Sequence, residues 1–231
     1  MIMNRFFLSS SLIAKKVIAE NTLQIVLARP AGFSYIAGQF IQIQIPQTNG
    51  KILRSYSLSS SPDQADLELC VKLLPNGVGS VFFQRLNVGD QIEFFGPNGR
   101  FVINDSSSAL AFIATGVGIA PIAGMIEDVL KNKKNPQSVY LLFGVRDTAH
   151  MFWTERLEIL ARQFSNFSFD ITFSQPDMSW TGLSGRVINF IDKLASSADY
   201  YICGSGEMVK DVRSALLARG EPTNSIHFEI F

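Results

Sequence analysis

Leu110-Ala111-Phe112-Ile113-Ala114-Thr115-Gly116-Val117-Gly118-Ile119-Ala120-Pro121 is the stretch on which the reading of this chain turns. LAFIAT carries no charge and no period-two alternation, which suits a strand buried on both faces, as in a parallel sheet. Two glycines one residue apart then stop the strand. Pro121 follows where a first helical turn tolerates a ring that lacks an amide hydrogen. Strand, glycine turn and helix in that order place the turn at a strand's carboxyl end, where open α/β sheets bind ligands. Its glycines allow close backbone approach to a diphosphate, and the helix N-terminus behind them attracts anions. Taken alone, the segment reads equally well as a tight turn with no ligand.

The grain of this stretch continues to the C-terminus. SVYLLF (residues 138–143), SFDITF (168–173) and DYYICG (199–204) are too apolar for half-exposed strands. Helical patterns separate them. Ile122, Met125, Ile126, Val129 and Leu130 share one face, with Lys131, Lys133 and Lys134 near the negative end of the helix dipole. Met208, Val212 and Leu216 form a second stripe, read as core and closed by Gly220. Alternating strand and helix predict a doubly wound α/β domain.

Towards the N-terminus the grain changes. FIQIQI (40–45) alternates strictly, ADLELCVKLL (65–74) and DQIEFFG (90–96) read as strands, and KKVIAENTLQIVLARP (15–30) reads as two strands joined at Glu20-Asn21-Thr22. One apolar face per strand with regular turns predicts an antiparallel barrel or sandwich. The fold class is therefore β followed by α/β, divided into residues 1–105 and 106–231 at the polar linker NDSSS (104–108).

Composition narrows the function. The chain has 231 residues, 47% of them hydrophobic and 17% charged, a globular balance with a substantial core. Twenty basic residues offset twenty acidic ones, so no strong field recruits nucleic acid or an anionic membrane. Two cysteines and two histidines argue against a disulfide scaffold, an iron–sulfur cluster or a metal centre, and a reducing cytoplasm is the default compartment. The N-terminal MIMNRFFLSSSLIA has an early Arg5 and an apolar run but no small-x-small cleavage site after it. Residues 110–126 are uncharged yet shorter than the ~20 a membrane span needs.

Two further constellations invite a ligand. Gly77-Val78-Gly79-Ser80 before Val81-Phe82-Phe83 offers amides and a hydroxyl to a second phosphate group, or else a surface turn at Pro75-Asn76-Gly77. Arg54-Ser55-Tyr56-Ser57-Leu58-Ser59-Ser60 puts Arg54, Tyr56 and Leu58 on one strand face and the serines on the other. A cation, a flat ring and hydroxyls suit a ligand with phosphate and a planar ring system. The bland alternative is a strand with an ordinary exposed face.

Arg54-x-Tyr56-Ser57, Cys70-Val71-Lys72, Gly77-x-x-Ser80, TGVGIAP (115–121), Cys203-Gly204 and a terminal Glu229-Ile230-Phe231 occur in that order. In this the chain resembles the ferredoxin–NADP reductase superfamily over nearly its whole length. The resemblance implies a six-stranded antiparallel barrel binding FAD, then a five-stranded parallel domain binding NAD(P)H. It implies that Tyr56 stacks on the flavin, Arg54 contacts the FAD diphosphate, Ser57 lies near the flavin N5 atom and the backbone of Cys70, Val71 and Lys72 meets the ring. Gly77, Val78, Gly79 and Ser80 would close over that diphosphate. Thr115, Gly116, Val117, Gly118 and Pro121, with Arg146 beside them, would hold the nicotinamide dinucleotide. Cys203 and Gly204 would approach the nicotinamide, Glu229 would complete the polar wall near N5, and Phe231 would shield the flavin. Ser57, Cys203 and Glu229 are thus the implied catalytic set. Cys203, at the end of a buried strand, reads equally as an apolar filler. His227, Trp153 and Trp180 are read as packing or surface residues.

The implied activity is hydride transfer from NAD(P)H to FAD, then electron transfer to a separate acceptor such as ferredoxin, flavodoxin or an oxygenase component. Alternatives of the same architecture are an NAD(P)H:flavin reductase that treats flavin as substrate and an electron-transfer subunit of a larger complex. Where NADPH-selective members carry Ser-Arg, this chain has Ser174-Gln175-Pro176-Asp177, which favours NADH and leaves Arg146 and Arg186 as the nearby cations. The first half carries nine basic and seven acidic residues, the second eleven and thirteen, a slight asymmetry in favour of an acidic partner at the FAD half.

Overall fold

The computed structural model describes residues 6–104 and 108–231. The boundary expected between residues 105 and 106 therefore lies outside the described residues.

Six strands form the first unit: β1 (Leu8–Ala19), β2 (Thr22–Ala28), β3 (Phe40–Gln47), β4 (Gly50–Ser57), β5 (Asp66–Lys72) and β6 (Gln91–Asn98). They lie in the order β4-β3-β6-β1-β2-β5, every pair antiparallel. β1 belongs to both halves. Leu8 to Ser11 pair with β6, and after Leu12 the register shifts and the strand pairs with β2. Such a corner lets one strand turn from one sheet into the next. A bridge from Leu58 to Leu69 brings the two outer strands together and closes the barrel. The turn read at Glu20-Asn21-Thr22 is present, with Asn21 at φ +52°, a conformation asparagine tolerates. The period-two residues fill the interior: Ile25, Leu27, Ile41, Ile43, Leu67, Leu69 and Phe94 are all buried. One helix, α1 (Val78–Arg85), covers this core with Phe83.

In the second unit β7 (Leu110–Thr115), β8 (Val139–Val145), β9 (Phe167–Phe173), β11 (Asp199–Gly204) and β12 (Ile226–Ile230) are parallel. The sheet has six strands, not five: β10 (Leu183–Ser184) adds to the β9 edge. Two residues carry no periodicity, so this strand has no sequence signature. The order β10-β9-β8-β7-β11-β12 reverses at β7, whose neighbours continue the chain in opposite directions. That is the crevice where such sheets take ligands.

Three helices complete the unit: α2 (Ile119–Glu127), α3 (Thr154–Gln163) and α4 (Gly206–Ala218). α2 departs from the amphipathic expectation, since all nine of its residues are buried. The reason is its place between the parallel sheet and the barrel. Gly124 lets it in: a Cβ there would lie 2.7 Å from the Ser60 carbonyl oxygen. Past Glu127 it widens into a π turn, Asp128–Asn132, and Lys131 turns back to pair with Glu127 at 2.8 Å. The core on this face of the sheet takes in Ala37, Cys70 and Phe101 from the barrel side, so apolar packing is continuous between the units.

Candidate functional site

A cleft of about 580 Å³ opens at the carboxyl ends of β7, β8 and β11. Its floor is the turn at Gly116–Gly118. Gly116 has φ +53° and open space where a Cβ would project, so the backbone presents itself to the cleft in a conformation natural to glycine. Among the described residues no side chain caps this turn or α2, and neither has an acid in its first turn. The Ile119 amide donates back to the Gly116 carbonyl, and the uncapped head of the turn is left open to an anion. A Cβ on Gly118 would lie 2.6 Å from the Cys203 carbonyl carbon and 2.8 Å from the Gly204 nitrogen. The turn is thus pressed onto the end of β11, as expected of a glycine chosen for close approach.

Both units wall the cleft. Thr22 and Lys72 come from the barrel, Arg146, His150 and Phe152 from the segment after β8, and Arg186, Glu207, Met208 and Asp211 from the far side. Arg146 Nε donates to Gln175 Oε1 at 2.9 Å, and Arg186 pairs with Glu207 at 2.7 Å. Phe231 stands at the mouth, 52% exposed, its amide donating to the Gly204 carbonyl at 3.1 Å. Met208 adds to the sequence reading. It packs on the core beside the buried Val209, Val212 and Leu216, as that reading has it, and in addition lines the cleft.

The second anion candidate is the start of α1. Gly77 caps it without a side-chain bond, and the amides of Val78, Gly79 and Ser80 precede the first intrahelical bond, from Val81 N–H to the Gly77 carbonyl. Ser80 Oγ accepts from the Leu74 amide at 2.7 Å, which closes the loop and leaves the hydroxyl hydrogen to donate elsewhere. The Tyr56 ring packs edge-on to Phe83 at 4.9 Å, and a Cβ on Gly79 would overlap the Tyr56 hydroxyl. Burial pushes the Tyr56 phenol up to about 12, with the charge of Arg54 pulling the other way. Arg54 itself is exposed, its guanidinium resting on the Leu53 carbonyl at 2.9 Å. Free amides, a hydroxyl and a cation beside a flat ring are what a diphosphate joined to a planar ring system requires. These residues fit FAD.

At the seam of the two units, Ser57 Oγ donates to Glu229 Oε1 at 3.2 Å and so ties β4 to β12. Burial raises the Glu229 carboxyl above its ordinary value, against the lowering effect of the Ser57 bond. Cys203 stands level with Glu229 in the strand register. Its thiol is wholly buried, and burial, then the Glu229 charge, pushes its pKa upward. The thiol therefore keeps its proton and is no nucleophile. On β5 the alternation separates three neighbours. Cys70 joins the core between the units, Val71 points into the barrel, and Lys72 reaches the cleft.

Of the expected residues, the structure assembles Thr115, Gly116, Val117, Gly118, Arg146, Gly204 and Phe231 around one cleft. It places Tyr56 and residues 77–80 at the head of α1, and Ser57, Cys203 and Glu229 at the seam. Pro121 is buried in the first turn of α2. His150, Phe152, Glu207, Met208 and Asp211 were missed. Only His150 had a local signal: three residues after Asp147, which caps its turn by accepting from the His150 amide. His227 packs on Tyr201 at 4.7 Å and Trp180 on Phe173 at 3.7 Å, as packing residues should. Among the described residues no helix is long and apolar enough to cross a membrane.

A diphosphate-binding barrel joined to a dinucleotide-binding α/β unit defines a two-domain flavin- and nicotinamide-dependent oxidoreductase. Family models agree: residues 9–103 match an oxidoreductase FAD-binding domain and residues 112–214 an oxidoreductase NAD-binding domain. The chain is 33% identical to ferredoxin–NADP reductase B of Sorangium cellulosum, over 85% of each protein. It is also 33% identical to the anthranilate 1,2-dioxygenase electron transfer component of Acinetobacter baylyi, over 79% of this chain but only 54% of that protein. The chain thus spans about half the length of that relative. Among solved structures, the Amycolatopsis cytochrome P450 reductase GcoB superposes with a TM-score of 0.88 at 26% identity, covering 99% of this chain and 71% of that one. The chain belongs to the ferredoxin–NADP reductase superfamily.

Proposed function

We propose that this protein takes a hydride from NADH in the cleft behind Phe231, by way of FAD held at Tyr56 and the head of α1, and delivers electrons to a separate acceptor. The Ser57–Glu229 hydrogen bond carries the proposal, because it brings a residue of the flavin half and one of the nicotinamide half into one polar contact. When bound, FAD supplies a centre that accepts two electrons together and releases them one at a time.

The chain's own residues supply alignment and polarity. Gly116–Gly118, the turn that opens into α2, holds the dinucleotide's diphosphate with backbone amides. Arg54 and the amides of residues 78–80 hold the flavin diphosphate, and Tyr56 gives the ring a flat partner. Ser57 holds a hydrogen-bond donor, and Glu229 a carboxyl whose pKa burial raises, at the seam where charge shifts during transfer. Cys203 sets the width of the floor through its carbonyl against Gly118. Phe231 covers the cleft mouth and must swing aside for the nicotinamide to enter.

Preference for NADH follows from the cations. Arg146 is engaged by Gln175 and lies 3.8 Å from Asp147, while Arg186 is taken by Glu207. A phosphate on the adenosine ribose would have to displace these partners. The acceptor is proposed from the relatives, which are named as electron transfer components of dioxygenases and as a ferredoxin–NADP reductase. The test is to mix the NADH-reduced protein with ferredoxin, flavodoxin and an oxygenase component while following free flavin by ultrafiltration. Reoxidation by a protein acceptor with flavin retained supports the reading. Release of flavin at each turnover overturns it in favour of a flavin reductase.

A further inference from the structure

Arg156, on α3 in the nicotinamide half, is the charged centre of the seam between the two units. Its Nη1 reaches Glu68 Oε1 on β5 at 2.7 Å, its Nη2 the Ser59 carbonyl at 3.1 Å, and its Nε Glu127 Oε1 on α2 at 2.7 Å. The three side chains are 19%, 15% and 4% exposed, so water screens these bonds little. Each carboxylate has further donors: Ser59 Oγ and Gln24 on Glu68, Gln64 and Lys131 on Glu127. Such a largely shielded, hydrogen-bonded network holds its members in one arrangement, and removing its cation leaves two carboxylates without it.

Every element that Arg156 grips carries part of the transfer site. Glu68 lies on the strand that ends in Cys70, Val71 and Lys72. Glu127 closes the helix that runs on directly from the Gly116–Gly118 floor of the cleft. α3 itself continues the segment that sets His150 and Phe152 in the cleft wall. At the joint stands Trp153, with φ +60°, a backbone conformation rare for a bulky residue, and a buried indole nitrogen without a partner among the described residues. The Arg156 guanidinium lies over its ring at 4.8 Å. Strain of this kind persists where the surroundings over-determine it.

We infer that Arg156 is a positioning residue for hydride transfer, the tether that fixes the spacing between the flavin half and the dinucleotide floor. The inference rests on the function proposed above. Arg156 does not line the cleft; it acts through β5, α2 and the cleft wall. Reactant geometry controls transfer steeply, so a loosened seam lowers the limiting rate more than it lowers binding.

The test is anaerobic stopped-flow reduction of the FAD-loaded protein at saturating NADH, with FAD content and NADH affinity measured on the same samples. Arg156→Gln is expected to slow the limiting rate about 10-fold or more with FAD content retained, and Arg156→Lys to recover part of it. Leu160→Ala, a buried truncation on the same helix, gives a less stable protein with the seam intact and is expected to keep the rate. Glu68→Gln, which removes only the charge across the seam, shifts the rate in the same direction as Arg156→Gln and serves if that variant does not fold. A limiting rate in Arg156→Gln or Glu68→Gln equal to wild type, or an equal loss in Leu160→Ala, overturns the tether and leaves the proposed function standing. A wild-type protein that NADH does not reduce overturns that function, and the tether with it.

Discussion

Gly118→Ala puts the cleft floor to the test. The added methyl would lie 2.6 Å from the Cys203 carbonyl carbon and 2.8 Å from the Gly204 nitrogen. Carbon atoms in contact sit about 3.5–4.0 Å apart, so relief requires a movement of about 1 Å. The obstructing atoms are backbone, and β11 is paired to β7 on one side and β12 on the other, which leaves the turn to retreat. Overpacking of this kind costs about 1–3 kcal/mol, or a fall in Tm of about 2–12 °C for a chain of this size. The turn also supplies the amides for the dinucleotide, and a displacement of about 1 Å from productive geometry costs about 100-fold in rate. Thermal unfolding of the FAD-loaded protein and stopped-flow reduction by NADH read the two effects separately. A variant with wild-type Tm and wild-type reduction kinetics would refute the claim that the floor is pressed against β11.

Glu229→Gln reads the buried carboxyl by its pH dependence. Burial raises the folded-state pKa above the ordinary 4.5, so the folded protein binds this proton more tightly than the unfolded chain. The associated stability is full below about pH 4.5 and is lost as pH climbs through the raised value. The variant, which cannot ionise, is therefore expected to gain stability relative to wild type as pH rises above about 4.5 in urea titrations, while reducing flavin more slowly. A stability difference that does not change with pH contradicts this placement. Gln175→Arg adds a cation where the chain has an amide; the ratio of kcat/KM for NADPH to that for NADH is expected to rise about 10-fold, a charge-assisted contact. No change in the ratio would show that residue 175 does not face the adenosine ribose.

The architecture was legible wherever periodicity is strong. FIQIQI alternates and became β3, with Ile41, Ile43 and Ile45 inside the barrel; LAFIAT is unbroken and became a central strand. The glycine turn was legible because strand, turn and helix occur together. What stayed hidden depends on contacts between distant segments. β10 is two residues long and exists because β9 offers an edge. α2 reads as amphipathic, yet the barrel covers its second face. Met208 fits a helical stripe by spacing and does pack on the core beside Val212 and Leu216, but only the fold shows that it also lines the cleft. Arg156 resembles any helix-surface arginine until β5 brings Glu68 to it across 88 residues of sequence.

Mixing the purified protein with NADH, without oxygen, while recording the visible spectrum tests the central claim most directly. One tightly held FAD per chain is expected, its absorbance bleaching with NADH and far more slowly with NADPH. A protein that carries no flavin and takes none up from added FAD, or a flavin that neither nucleotide bleaches, would contradict it.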